Sequence, residues 1–202
     1  LYGPSRGAVP SGVAPRLSYS DVMGEDAKDN RRFFFALWPD PPTRALIGRL
    51  AREVALETCG RPTLPDLIHL TLAFVGPQPA IRVDSLKRLA GLIRGRTFEI
   101  ALDRVGVFQK AGVAWLGASA PGEDLTLLHR DLSDALRSRG FPVDARPYTP
   151  HLTLARRSTV VVERALPEAI GWRVSGFTLV ASDTSGPVPV YRTVAQWPLI
   201  ML

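Results

Sequence analysis

The chain has 202 residues, 46% of them hydrophobic, which is enough for one medium domain with a real core. A lone cysteine, Cys59, excludes an intrachain disulfide and a cysteine-built metal cage, and the longest apolar run, Phe33 to Trp38, is far too short to span a bilayer. The net charge is +6, carried almost entirely by arginine, since Lys28, Lys87 and Lys110 are the only lysines; such a surface favours anionic partners without choosing among them.

Residues 1–30 are rich in Gly, Pro and Ser and have no periodicity, so a flexible tail is expected there. They carry a charge of −1 (three basic against four acidic residues), which leaves +7 for residues 31–202, the expected single folded domain. That part opens with "RRFFFALWP", a strand-like aromatic run ended by Pro39. A helix follows, with Pro41 and Pro42 at its start and Leu46, Leu50 and Val54 at helical spacing. "LIHLTLAFVG" reads as a buried strand. "RVDSLKRLAGLIRGR" reads as a second helix with Val83, Leu86, Leu89 and Ile93 on one side. Residues 98–119 look like two strands joined by a turn around Lys110 to Gly112. "EDLTLLHRDLSDALRSRG" is the clearest helix, with Gly140 as its stop. "PHLTLARR", "WRVSGFTLVASD" and "YRTVAQWPL" supply the closing strands. Hairpins mixed with helices argue for an α+β fold of two lobes, one from each half of the chain, with a cleft between their sheets.

The tetrapeptide His-Leu-Thr-Leu occurs twice, at His69 and at His151, 82 residues apart (151 − 69). On a strand the imidazole and hydroxyl of each copy share one face while the two leucines point into the core. If the two copies face each other across the cleft, two imidazoles and two hydroxyls surround one point. An imidazole titrates near ~6.5, so one ring can take a proton while the other gives one. The hydroxyls of Thr71 and Thr153 can donate to phosphoryl oxygens. The chemistry this set suits is in-line displacement at phosphorus, with no metal. Two histidines without a neighbouring carboxylate or thiolate make a poor metal set. Neither a G-x-x-x-x-G-K nor a G-x-G-x-x-G loop occurs, so no nucleotide cofactor is indicated. The third histidine, His129, is expected at the boundary of its helix. For a nucleobase, Trp115 and the Phe33–Phe35 run are candidate stacking surfaces.

These paired words resemble the signature of the 2H phosphoesterases. The branch the chain is most similar to is the LigT-like RNA 2′,3′-cyclic phosphodiesterases, also called 2′-5′ RNA ligases. The likeness covers residues 31–202, through "RRFFFALWP", "LIHLTLAFVG", "GVAWLG", "RPYTPHLTLARR" and "GFTLVASDTSGPVPVYRTVAQWPL". It departs in the Pro-Val-Pro before Tyr191, where the branch typically has a shorter link. The resemblance implies a bilobal fold of two pseudo-symmetric mixed-sheet lobes flanked by helices. It also implies hydrolysis of an RNA 2′,3′-cyclic phosphate end, or of a small cyclic nucleotide, to a 2′-phosphomonoester. His69 would be the proton donor and His151 the acceptor, roles the residues alone leave open. Thr71, Thr153 and Arg156 would hold the phosphate, although Arg156 has the strand parity of the wrong face. The expected protein is a cytoplasmic monomer without cofactor or membrane contact. Joining or cleaving 2′-5′ linkages in the same site, and binding RNA ends without turnover, are the alternatives.

Overall fold

The computed structural model describes residues 31–186 and 188–200; the expected tail at residues 1–30 lies outside them. The described residues form nine strands and three α-helices in this order: β1 (Arg31–Leu37), α1 (Pro41–Glu57), β2 (Arg61–Pro62), β3 (Leu70–Gln78), α2 (Val83–Ala90), β4 (Phe98–Phe108), β5 (Val113–Gly117), α3 (Glu123–Ser138), β6 (His151–Arg156), β7 (Arg164–Val174), β8 (Gly176–Asp183) and β9 (Val190–Pro198). No helix among the described residues is long and apolar enough to cross a membrane.

The strands form one sheet in the order β7-β4-β5-β6-β3-β1-β8-β9, with β2 beside β6. Every pair of named strands is antiparallel. The α+β class therefore takes the form of a single antiparallel sheet, whose halves β3-β1-β8-β9 and β6-β5-β4-β7 are the two lobes. β3 and β6 are joined at one residue pair, Leu70 with Leu152. The lobes are not the two halves of the chain. β8 and β9 return from the C-terminal end to pair with β1, so the middle of the chain builds one lobe and its two ends build the other.

The helices start and stop where local chemistry directs. Asp40 caps α1 by accepting from the Thr43 N–H at 2.9 Å, with Pro41 and Pro42 following it. The apolar face of α1 is centred on Ile47, Leu50, Ala51 and Val54, whereas Leu46 is 45% exposed. α2 ends at Ala90, earlier than its periodicity suggests, because Gly91 follows. Ile93 still packs on the core from the loop. Gly140, at φ +68°, turns the chain after α3. The turn around Gly112 joins β4 and β5 at φ +59°.

β7 begins at Arg164, well before the strand expected near Trp172. Its first part is mostly exposed and contains Pro167, which an edge strand with one neighbour tolerates. α1 packs against β6 and β7, and α3 against β3. Leu70, Leu72, Leu152 and Leu154 all lie in the core beneath these helices. The opposite face of the sheet carries the histidines.

Candidate active site

The pairing of Leu70 with Leu152 fixes the site. Continuing that antiparallel register by one residue each way sets His69 beside Thr153 and Thr71 beside His151. The two words thus lie on neighbouring strands of one sheet face, not on opposed walls as the sequence reading had it. Each leucine points to the core, so each imidazole and hydroxyl must point away from it. His69 and His151 are diagonal neighbours across this pair, a relation that separates backbones by about 7–8 Å.

Both rings are held in the same way. The Nδ1 of His69 lies 2.7 Å from the Leu67 carbonyl, and that of His151 lies 2.7 Å from the Thr149 carbonyl. A carbonyl only accepts, so Nδ1 carries the proton and Nε2 is the working nitrogen in both. Burial lowers the pKa of His69 from 6.5 to about 4; the bond to Leu67 opposes this, while the charges of Arg156 and His151 add to it. Burial also lowers His151, against the bond to Thr149 and with the charge of Arg156. Both rings therefore rest neutral at pH 7.

Arg156 reaches this face because β6 is bulged. Trp115 pairs with Thr153, but Ala114 pairs with Ala155, so Leu154 is an extra residue on β6. Leu154 and Ala155 are both buried, and Arg156 emerges on the histidine side. The first word repeats the device. Ala36 pairs with Thr71 and Phe35 with Ala73, which makes Leu72 extra and turns Phe74 outward. Phe74, 45% exposed with the Arg32 guanidinium 5.4 Å above its ring, occupies the place that Arg156 holds in the second word.

A family model described as the 2′-5′ RNA ligase superfamily matches residues 38–186. The chain belongs to that superfamily. It is 38% identical over 172 residues to the RNA 2′,3′-cyclic phosphodiesterase of Escherichia coli (strain K12), covering 84% of this chain and 97% of that protein. It is 30% identical over 185 residues to the protein of the same name from Thermus thermophilus, covering 83% and 90% respectively. A crystal structure of E. coli LigT complexed with 3′-AMP superposes with a TM-score of 0.77 at 32% identity, over 84% of this chain and 98% of the other.

In this member of the 2′-5′ RNA ligase superfamily the two histidines have different aromatic surroundings. Phe34, Trp38 and Tyr191 enclose His69, with ring centroids at 4.9, 5.1 and 5.4 Å. Phe108 meets His151 edge-on at 4.9 Å and stacks on Trp115. Trp115, the other candidate stacking surface, pairs with Thr153, and its ring lies over Gly106, where a Cβ would come within 2.4 Å of it. The Phe33–Phe35 run is not a stacking surface, since all three rings are at most 4% exposed. Beyond Trp38 and Tyr191 the face opens into a cavity of about 650 Å³ whose walls include Arg44, Thr178 and Trp197.

The sequence reading missed Trp38, Phe108 and Tyr191. Their spacing from the histidines along the chain carries no signal; only the strand order brings them in. It also left His129 without a task. His129 Nδ1 donates to the Leu72 carbonyl at 2.7 Å, and its ring stacks at 3.6 Å on Tyr148, whose hydroxyl donates to the Thr71 carbonyl at 3.2 Å. The pair satisfies carbonyls at the β3 bulge, next to Thr71.

Proposed function

We propose that the chain hydrolyses a terminal RNA 2′,3′-cyclic phosphate to a 2′-phosphomonoester, using His69 and His151 as the proton-transfer pair. The observation that supports this reading best is the Leu70–Leu152 pairing, since strand alternation on either side of it puts His69, Thr71, His151 and Thr153 on one face, with each histidine Nδ1 bonded to a backbone carbonyl. The sequence kinship with phosphodiesterases of E. coli and T. thermophilus supports the same substrate.

In this mechanism His151 Nε2 takes a proton from water as the water oxygen bonds to phosphorus. The P–O3′ bond breaks, and His69 Nε2–H gives its proton to the departing 3′ oxygen. Thr71 and Thr153 donate to the non-bridging oxygens, and Arg156 balances the charge that gathers on them. Trp115 beside Thr153 offers a face to the nucleoside. The two rings return to their starting states by exchanging protons with solvent. His69 as donor follows the family resemblance. The resting pKa values favour the opposite order, because His69 is the ring more strongly held neutral, so its proton must arrive with the substrate. A 5′ hydroxyl in place of water would form a 2′-5′ linkage by the same steps, in keeping with the superfamily's name. The reading takes the protein to be a monomer that acts on RNA in the cytoplasm.

The test is turnover of an oligonucleotide ending in a 2′,3′-cyclic phosphate, with and without a second RNA bearing a free 5′ hydroxyl. Hydrolysis to the 2′-phosphate is expected, with about 10²–10⁴-fold loss in His69→Ala and in His151→Ala. Near-wild-type turnover in both variants rules the mechanism out.

A further inference from the structure

β2 is only two residues long, yet it sets Arg61 directly across from Arg156 of β6. Its place is fixed by the pairing of Pro62 with Ala155 and by the Thr63 N–H, which donates to the Leu154 carbonyl at 2.8 Å. Residues directly opposed on antiparallel strands share a face, so Arg61 points to the histidine side with Arg156. Two like charges in such a pair repel. Among the described residues neither guanidinium has a carboxylate or any other hydrogen-bond partner, whereas Arg44, Arg130, Arg146 and Arg164 each pair with an acid. Both side chains are exposed. An unneutralised pair at the rim of an anion site is suited to more negative charge than one diester brings.

The two arginines are not equivalent. Arg156 is close enough to depress both imidazoles, and Arg61 is not among the charges that act on either ring. Arg61 therefore stands outside the reacting centre, one strand removed from Arg156. A cyclic phosphate fills the oxygens' places between the histidines. The next anion in an RNA strand is the linkage on the 5′ side of the terminal nucleotide, and it is diesterified and singly charged.

We propose that Arg61, in register with Arg156, binds this internucleotide phosphate and so selects a polynucleotide end over a cyclic mononucleotide. The proposal rests on the hydrolytic reading above. It makes Arg61 a specificity residue, which touches substrate away from the bond that breaks. A planar guanidinium suits the task, since it can donate two parallel bonds to phosphate oxygens.

The experiment compares adenosine 2′,3′-cyclic phosphate with a dinucleotide ending in the same cyclic phosphate, in wild type, Arg61→Gln and Arg61→Lys. The readout is the dinucleotide-to-mononucleotide ratio of kcat/KM. Arg61→Gln is expected to lower that ratio about tenfold, through KM, the loss of one charge-assisted contact. Arg61→Lys is expected to keep most of it. The slope of log affinity against log salt for the dinucleotide should shrink by about 0.7, the value for one single-strand phosphate contact. A ratio that Arg61→Gln leaves unchanged overturns the proposal, whether both rates hold or both fall together. Wild-type turnover of the cyclic mononucleotide tests the hydrolytic reading separately, because Arg61 has no part in it.

Discussion

His69 presents a problem of proton supply. In the proposed mechanism it gives a proton at Nε2, yet its free imidazole titrates at about 4. At pH 7 only about one molecule in 10³ then holds that proton, and charging the ring costs about 4 kcal/mol. The substrate can supply an opposing term of the same size. One negative charge about 4 Å from an imidazolium is worth ~4 kcal/mol at the effective dielectric of a site near a protein surface. A bound diester thus lifts the pKa of His69 by about three units, to near 7. Binding should take up about half a proton per site at pH 7, more than 0.8 at pH 6 and almost none at pH 9. The sign follows directly: uptake on binding means that affinity rises as pH falls from 9 to 6. The measurement is calorimetric titration of a 2′,3′-cyclic nucleotide into His151→Ala, which lacks the proposed base, in paired buffers of different ionisation enthalpy. A cyclic diester does not itself titrate in this range, so the protons counted belong to the protein. Formation of the complex with no proton uptake anywhere between pH 6 and 8 would mean that the ring stays neutral when the anion arrives. His69 would then not be the acid, and the reverse assignment, which the resting pKa order favours, would stand.

The same depressed pKa makes a prediction about stability without substrate. Because His69 binds its proton less well folded than unfolded, its contribution is fully present above pH 6.5 and is lost as pH falls toward 4. The expected loss is about 2–3 kcal/mol between pH 7.5 and 4.5, read by urea unfolding, and His69→Asn, whose amide can still donate to the Leu67 carbonyl, should abolish that part of the slope. Gly106→Ala should destabilise the fold by about 1–3 kcal/mol, since its Cβ would lie 2.4 Å from the Trp115 ring, and thermal unfolding with tryptophan fluorescence would report both the loss and the displaced indole. An unchanged spectrum and midpoint would show that Trp115 does not need the bare backbone beneath it.

The parts legible in the sequence were those with local causes. The proline pair starting α1, the leucine steps of α3 and the glycine turn at Gly112 each depend on a few adjacent residues, and each formed as expected. The repeated tetrapeptide was legible as a unit because strand alternation alone puts His and Thr on one face. What stayed hidden was everything set by non-local pairing. Arg156 has the wrong parity only if β6 is regular, and a bulge at Leu154 leaves no mark in the residue pattern. The return of β8 and β9 to β1 could not be read either, so Tyr191 did not look like a neighbour of His69. Arg61 was invisible for a related reason: a two-residue strand has no periodicity to detect.

The duplicated word also explains why a nearly twofold arrangement can carry chemistry that has a direction. The frame is symmetric: the same tetrapeptide, the same Nδ1 bond to the carbonyl two residues back, the same bulge after the threonine. The residues placed on it are not. At the outward position after the bulge one strand offers Phe74 and the other Arg156. Among the described residues three aromatic rings enclose His69, while Phe108 alone meets His151. A cyclic phosphate has two bridging oxygens that differ only in which ribose carbon bears them. A symmetric site could not tell them apart, and water would then cleave either bond. In the proposed mechanism, a cation on one side and an apolar wall on the other would give the anion one preferred orientation, with a single P–O bond in line with the attacking water. On that reading the frame would set where the two protons move, and the asymmetry would decide which bond they act on.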